Sequence, residues 1–142
     1  MRNELTTARN LLASGKYTCV ACLGNTVHTA TERGVKPLVN WLDAGLDLKG
    51  FSAADRVVGR ATAFLYVLLG VKEVHALVMS RPAAAVLAAH GISATQDTLT
   101  DGIINRKGTG PCPFESAVLE IQNPQEALCA IRRKQIQMQG GN

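Results

Sequence analysis

The sequence predicts a single α/β domain, a mixed five-stranded sheet with helices on both faces. Three observations lead there. A β-hairpin signal near the N-terminus gives way to helix and strand patterns in regular alternation. The length of 142 residues suits one hydrophobic core and is short for two domains. A hydrophobic fraction of 46% with 18% charged residues is that of a folded globular chain.

The first element is a helix over residues 3–14, where Leu5, Ala8, Leu11 and Leu12 share one face and Gly15 ends it. Residues 17–23 and 26–31 are rich in β-formers and flank Gly24-Asn25, a pair suited to a type II′ hairpin turn. Residues 35–44 read as a helix with Pro37 in its first turn, closed by Gly45. A strand over 51–57 leads through Gly59 into a helix over 60–69. That helix is apolar nearly all round and must be buried or lie at a subunit interface.

A strand over 73–79 follows, then a helix opened by Ser80-Arg81-Pro82 and closed by His90-Gly91. Residues 92–99 form a weaker strand, and 100–110 a polar loop with room for one helical turn. Helices over 114–121 and 124–135 complete the chain. The domain spans residues 1–142 with its core over about 12–131, and the tail 136–142 is expected to fray. Strands joined through helices are parallel with right-handed crossovers. The ends of the strands at Val57 and Met79 therefore share one edge of the sheet, where open α/β sheets bind ligands.

Composition narrows the partners. The net charge is +4, and the basic residues are dispersed apart from Arg132-Arg133-Lys134. Six aromatic residues (one Trp, two Tyr, three Phe) are too few for a stacking platform, which disfavours nucleic acid and leaves small anions as partners. The run also suits the solvated C-terminal end of a helix. The apolar stretch 61–71 is too short to cross a bilayer, so no membrane association is expected. The N-terminal residues 1–14 lack the pattern of an export signal, so a cytoplasmic location and reduced thiols are expected.

Cys19 and Cys22 have zinc-knuckle spacing, but they lie on a predicted strand, where residues three apart point to opposite faces. No second pair exists. His28, His75 and His90 have no ligand spacing to one another. No metal or other cofactor is expected.

Three segments can line a crevice. In Asp55-Arg56-Val57-Val58-Gly59-Arg60, a helix N-terminus offers free amides to an anion. Gly59 lets a ligand approach there, and Arg56 and Arg60 can pair with phosphate or carboxylate. Ser80 in Met79-Ser80-Arg81-Pro82 is a natural N-cap that can also donate into the crevice. In the run from Asn105 and Arg106 to Cys112 and Glu115, glycines and basic residues precede another helix N-terminus. With Cys112 as N-cap, Glu115 falls where a capping box places its glutamate. A thiol at the positive end of a helix near Arg106 is a candidate nucleophile, although no histidine lies near it in sequence.

Several segments resemble a known family. They include Thr31-Glu32-Arg33-Gly34-Val35-Lys36-Pro37-Leu38 and Gly50-Phe51-Ser52-Ala53-Ala54-Asp55-Arg56-Val57-Val58-Gly59-Arg60-Ala61. Met79-Ser80-Arg81-Pro82, His90-Gly91-Ile92, Ile104-Asn105-Arg106 and residues 108–115 follow in order. Over about residues 12–131 the chain is similar to the bacterial family catalogued as domain of unknown function 1893. The resemblance implies a three-layer α/β/α sandwich of cytidine-deaminase-like type. It does not imply deamination, which requires an H-x-E or C-x-E segment and P-C-x-x-C. Neither is present, and Pro111-Cys112-Pro113-Phe114-Glu115 has Glu in place of the second Cys. The fold's usual ligand-bearing turns correspond to 35–38 and 55–60.

The expectation is a zinc-free protein binding a small anionic ligand, such as a nucleotide, through Asp55, Arg56, Gly59, Arg60, Ser80, Asn105, Arg106, Cys112 and Glu115. The alternatives are a homo-oligomeric interaction module, joined through helix 60–69 or a sheet edge, and a cysteine-dependent enzyme using Cys112.

Overall fold

The computed structural model describes residues 3–105 and 107–140. Its elements run α1 (Glu4–Ala13), β1 (Cys19–Leu23), β2 (Thr26–Ala30), α2 (Lys36–Asp43), β3 (Ser52–Val58) and α3 (Arg60–Leu69). They continue β4 (Glu73–Ser80), α4 (Arg81–Ala89), β5 (Ser93–Thr100), α5 (Pro113–Ala117) and α6 (Pro124–Gly140). The five strands form one mixed sheet in the order β2-β1-β3-β4-β5. β1 is antiparallel to both neighbours, whereas β3, β4 and β5 are mutually parallel.

The hairpin register pairs Leu23 with Thr26 around Gly24-Asn25. Gly24 has φ 57°, and no residue other than glycine has positive φ among the described residues. That combination fits the predicted type II′ turn, which needs positive φ at its first central residue only.

Helices cover both faces of the sheet, giving three layers. On one face α1 alone packs Ala8 and Leu12 against Val20, Cys22 and Ala54. The larger core lies on the other face, where α2, α3 and α4 bury Leu38, Phe64, Leu65, Tyr66 and Leu87. Ala127 and Ile131 of α6 complete that core. Cys19 belongs to the larger core and Cys22 to the smaller, so the alternation of the strand separates the two thiols as expected.

One alternative left open by the sequence is resolved, and three features depart from the sequence reading. Of the two alternatives for the apolar helix α3, burial is the one observed, with Ala61 to Tyr66 and Leu69 all buried within the chain. The helix expected over 114–121 is the short α5, which stops at Ala117. Beyond it the chain turns, and the carbonyls of Val118 and Ile121 accept from the Arg60 guanidinium. α6 runs on past Gln135 to Gly140, into the tail expected to fray. The loop after β5 holds no helical turn among its described residues. It is closed by a bridge between Ile104 and Pro111, with the Asn105 amide donating to the Gly110 carbonyl at 2.9 Å. No helix among the described residues is long and apolar enough to cross a membrane.

Candidate ligand-binding cavity

The antiparallel pairing of β1 decides where a crevice can form. Cys19 lies opposite Asp55 on one side and Ala30 on the other. The start of β1, the exit of β2 and the carboxyl end of β3 therefore meet at one end of the sheet. A cavity of about 330 Å³ opens there. Its walls come from Thr18 before β1, Arg33 to Val35 after β2, and Asp55 to Val57 on β3. Gly59, Ala61 and Thr62 at the start of α3 add to them, and Ile103, Cys112, Phe114 and Glu115 close the cavity from the C-terminal third.

Five of the predicted residues are thus brought together: Asp55, Arg56, Gly59, Cys112 and Glu115. Ser80 is fully buried away from this cavity, where its hydroxyl accepts from the Ala83 amide at 3.1 Å and caps α4. Asn105 lies in a neighbouring recess, its side-chain oxygen accepting from the Thr109 amide at 3.0 Å. Arg106 falls outside the described residues. Arg60 turns away from the cavity. Its Nε donates to the Val118 carbonyl at 3.1 Å, its Nη2 donates to the Ile121 carbonyl, and its guanidinium lies 5.1 Å from the centre of the Phe64 ring.

The α3 N-terminus is already occupied. Glu115 accepts from the amides of Arg60 at 2.6 Å and Ala61 at 2.8 Å, so a carboxylate of the chain sits where the helix dipole favours an anion. It does not cap its own helix, and Cys112, the N-cap of α5, makes no side-chain capping bond. Gly59 makes this docking possible. A Cβ there would stand 2.5 Å from the Glu115 Oε1, although Gly59 itself has an ordinary φ of −97°. The glycine therefore serves the close approach of an internal carboxylate, with no demand for left-handed backbone.

Asp55 is the electrostatic oddity of the cavity. Burial pushes its carboxyl up to about 7. The Tyr66 hydroxyl, the amides of Val57 and Arg56, and the Arg56 charge pull against that rise. The Tyr66 hydroxyl donates to Oδ2 at 2.7 Å. The same burial, with Asp55 close by, raises the thiol of Cys19 and the phenol of Tyr66. Arg56 donates one N–H to the Gly15 carbonyl at 3.2 Å, leaving the rest of its donor fork for other partners.

Sequence reasoning missed Thr18, Arg33 and Thr62. Arg33 precedes the Gly34 turn into α2, much as Gly59 precedes α3, and the antiparallel β1 brings these two helix starts to one end of the sheet. The three histidines stand elsewhere. His28 packs near Trp41 and Phe51, buried His75 lies 2.7 Å from the Thr95 hydroxyl and 3.1 Å from Asp97, and His90 meets the Val86 carbonyl. None of them lines the cavity.

Comparison with known proteins adds a family and two structures. The profile described as "Domain of unknown function (DUF1893)" matches residues 7–135. A DUF1893 family protein from Thermotoga maritima superposes with a TM-score of 0.86 at 27% identity, covering 94% of this chain and 91% of that one. A dCMP deaminase from the cyanophage S-TIM5 gives a TM-score of 0.44 at 13% identity, covering 66% of this chain and 93% of that one. No curated protein matches the chain.

Proposed function

We propose, from the premise that the chain belongs to the DUF1893 family, that its cavity receives a small organic anion of about nucleotide size. One observation carries this reading. Two arginines, Arg33 and Arg56, line a recess in which the Glu115 carboxylate is already held by the backbone amides of Arg60 and Ala61. Asp55, pushed up to about 7, contributes only part of a negative charge there. Arg33 is exposed and has no hydrogen-bond or ion-pair partner among the described residues. The cavity therefore carries unmatched positive charge that a phosphate or carboxylate would pair with in a forked geometry.

The volume of about 330 Å³ lies in the range of small-molecule sites. Val35, Val57 and Phe114 supply apolar wall for the organic portion, and Thr62 and Asp55 supply polar groups that orient it. Thermal-shift titration with nucleoside monophosphates, sugar phosphates and dicarboxylates tests the reading. At least one class raises the Tm of the wild type, and Arg33→Ala loses that response while keeping its unliganded Tm. No rise with any class overturns the proposal.

A second reading, cysteine chemistry, rests on Cys112, whose partly exposed thiol lies in the cavity wall at the start of α5. Alkylation of Cys112 followed against pH tests it. A nucleophile tuned for catalysis reacts fully well below the pH range of an ordinary thiol, and a profile like that of free cysteine ends this reading.

A further inference from the structure

The end of the sheet opposite β2 is a bare strand. β5 has β4 on one side and no strand on the other among the described residues. Proteins usually blunt such an edge with lysine, proline or a bulge. β5 has none of these in Ser-Ala-Thr-Gln-Asp-Thr-Leu-Thr, and its register with β4 runs from Ser93 to Thr100. Its one charge is Asp97.

The phase of its backbone can be read off. The Ser93 amide donates to the Lys72 carbonyl at 3.2 Å, toward β4. Backbone groups alternate in direction along a strand, so Ser93, Thr95, Asp97 and Leu99 bond to β4. Ala94, Gln96 and Thr98 present their N–H and C=O groups outward.

We infer that β5 pairs antiparallel with β5 of a second copy of this chain, across a two-fold axis through Gln96. Opposed residues of an antiparallel pair share a face, so a two-fold axis must pass through a residue and not between two. An axis through Asp97 sets two carboxylates opposite each other, which is unfavourable. The axis through Gln96 avoids this and sets Thr95 opposite Asp97 of the second copy. Gln96 then exchanges both backbone bonds with its own counterpart, and the outward groups of Ala94 and Thr98 bond to each other. Beside the strand, α4 exposes Ala85, Ala88 and Ala89, small residues that do not obstruct a second copy. Leu99 of β5, 38% exposed, is partly covered in the joined sheet. This interface is independent of the cavity.

Light scattering with size-exclusion chromatography of the full chain tests it. The wild type is a dimer at high micromolar concentration. Because Gln96 meets its own copy, Gln96→Glu brings two carboxylates together, so its mass falls by half at pH 8 and the dimer returns at pH 4. Gln96→Lys is likewise monomeric at pH 8, and mixing the two variants restores a dimer containing one of each. Unchanged far-ultraviolet circular dichroism shows that both variants fold. A monomeric wild type, or a dimer indifferent to both substitutions, overturns the inference.

Discussion

Glu115 and Gly59 fit together so closely that a single methyl group on Gly59 would stand 2.5 Å from the Glu115 carboxylate. The start of α3 is thus built around an acid from far along the chain. Its energetics follow from that contact.

Gly59→Ala is expected to destabilise the protein by about 1–3 kcal/mol, because the carboxylate must leave the Arg60 and Ala61 amides or the backbone must shift. In a Glu115→Ala background the same change costs much less, since nothing remains to collide with. Urea denaturation of the four variants checks this, and strictly additive effects would contradict the coupling.

Asp55 makes stability depend on pH in an unusual direction. Its folded value of about 7 lies above the ordinary 3.8, so between these values the folded state holds a proton that the unfolded state has released. The stabilisation is full below about pH 4 and is lost as the pH rises through 7. Asp55→Asn removes this slope while keeping an acceptor for the Tyr66 hydroxyl. Urea midpoints at pH 5 and pH 8 therefore differ less in the variant than in the wild type.

Arg60 and Arg33 are expected to separate stability from binding. Arg60→Met strips the donors from the Val118 and Ile121 carbonyls and should cost about 2–3 kcal/mol. It leaves the anion response of the cavity intact. Arg33→Ala does the reverse, and thermal melts with and without ligand distinguish the two.

Ser80→Ala removes the cap of α4 and should lower stability by about 1 kcal/mol. It should not alter the response to anions, because Ser80 does not line the cavity. A Tm unchanged from wild type would mean that the Ala83 amide finds another acceptor.

What was legible in the sequence was what depends on near neighbours. The alternation of a strand sorted Cys19 from Cys22, glycine and asparagine marked the hairpin, and Gly59 marked the start of α3. The clustering of Asp55, Arg56 and Gly59 followed from one strand-to-helix turn. What depends on distant partners was not legible. Glu115 sits at the right spacing to cap its own helix, and nothing local shows that it prefers amides 54 and 55 residues earlier. Arg60 looked free for the same reason, its carbonyl partners being 58 and 61 residues away. Arg33 had a usable signal, since an antiparallel β1 necessarily carries the exit of β2 to the end of β3.

The long reach of Glu115 also bears on how the protein is made. When the chain has emerged only to Thr100, every strand of the sheet is available to pair, yet the first amides of α3 still have no carboxylate. Val118, Ala127 and Ile131 are also still missing from the larger core. Synthesis of the last third is then the step that latches a preassembled sheet. A nascent chain held with residues up to about Thr100 outside the ribosome should be loosely closed and protease-sensitive, and emergence of residues past Ile131 should make it resistant.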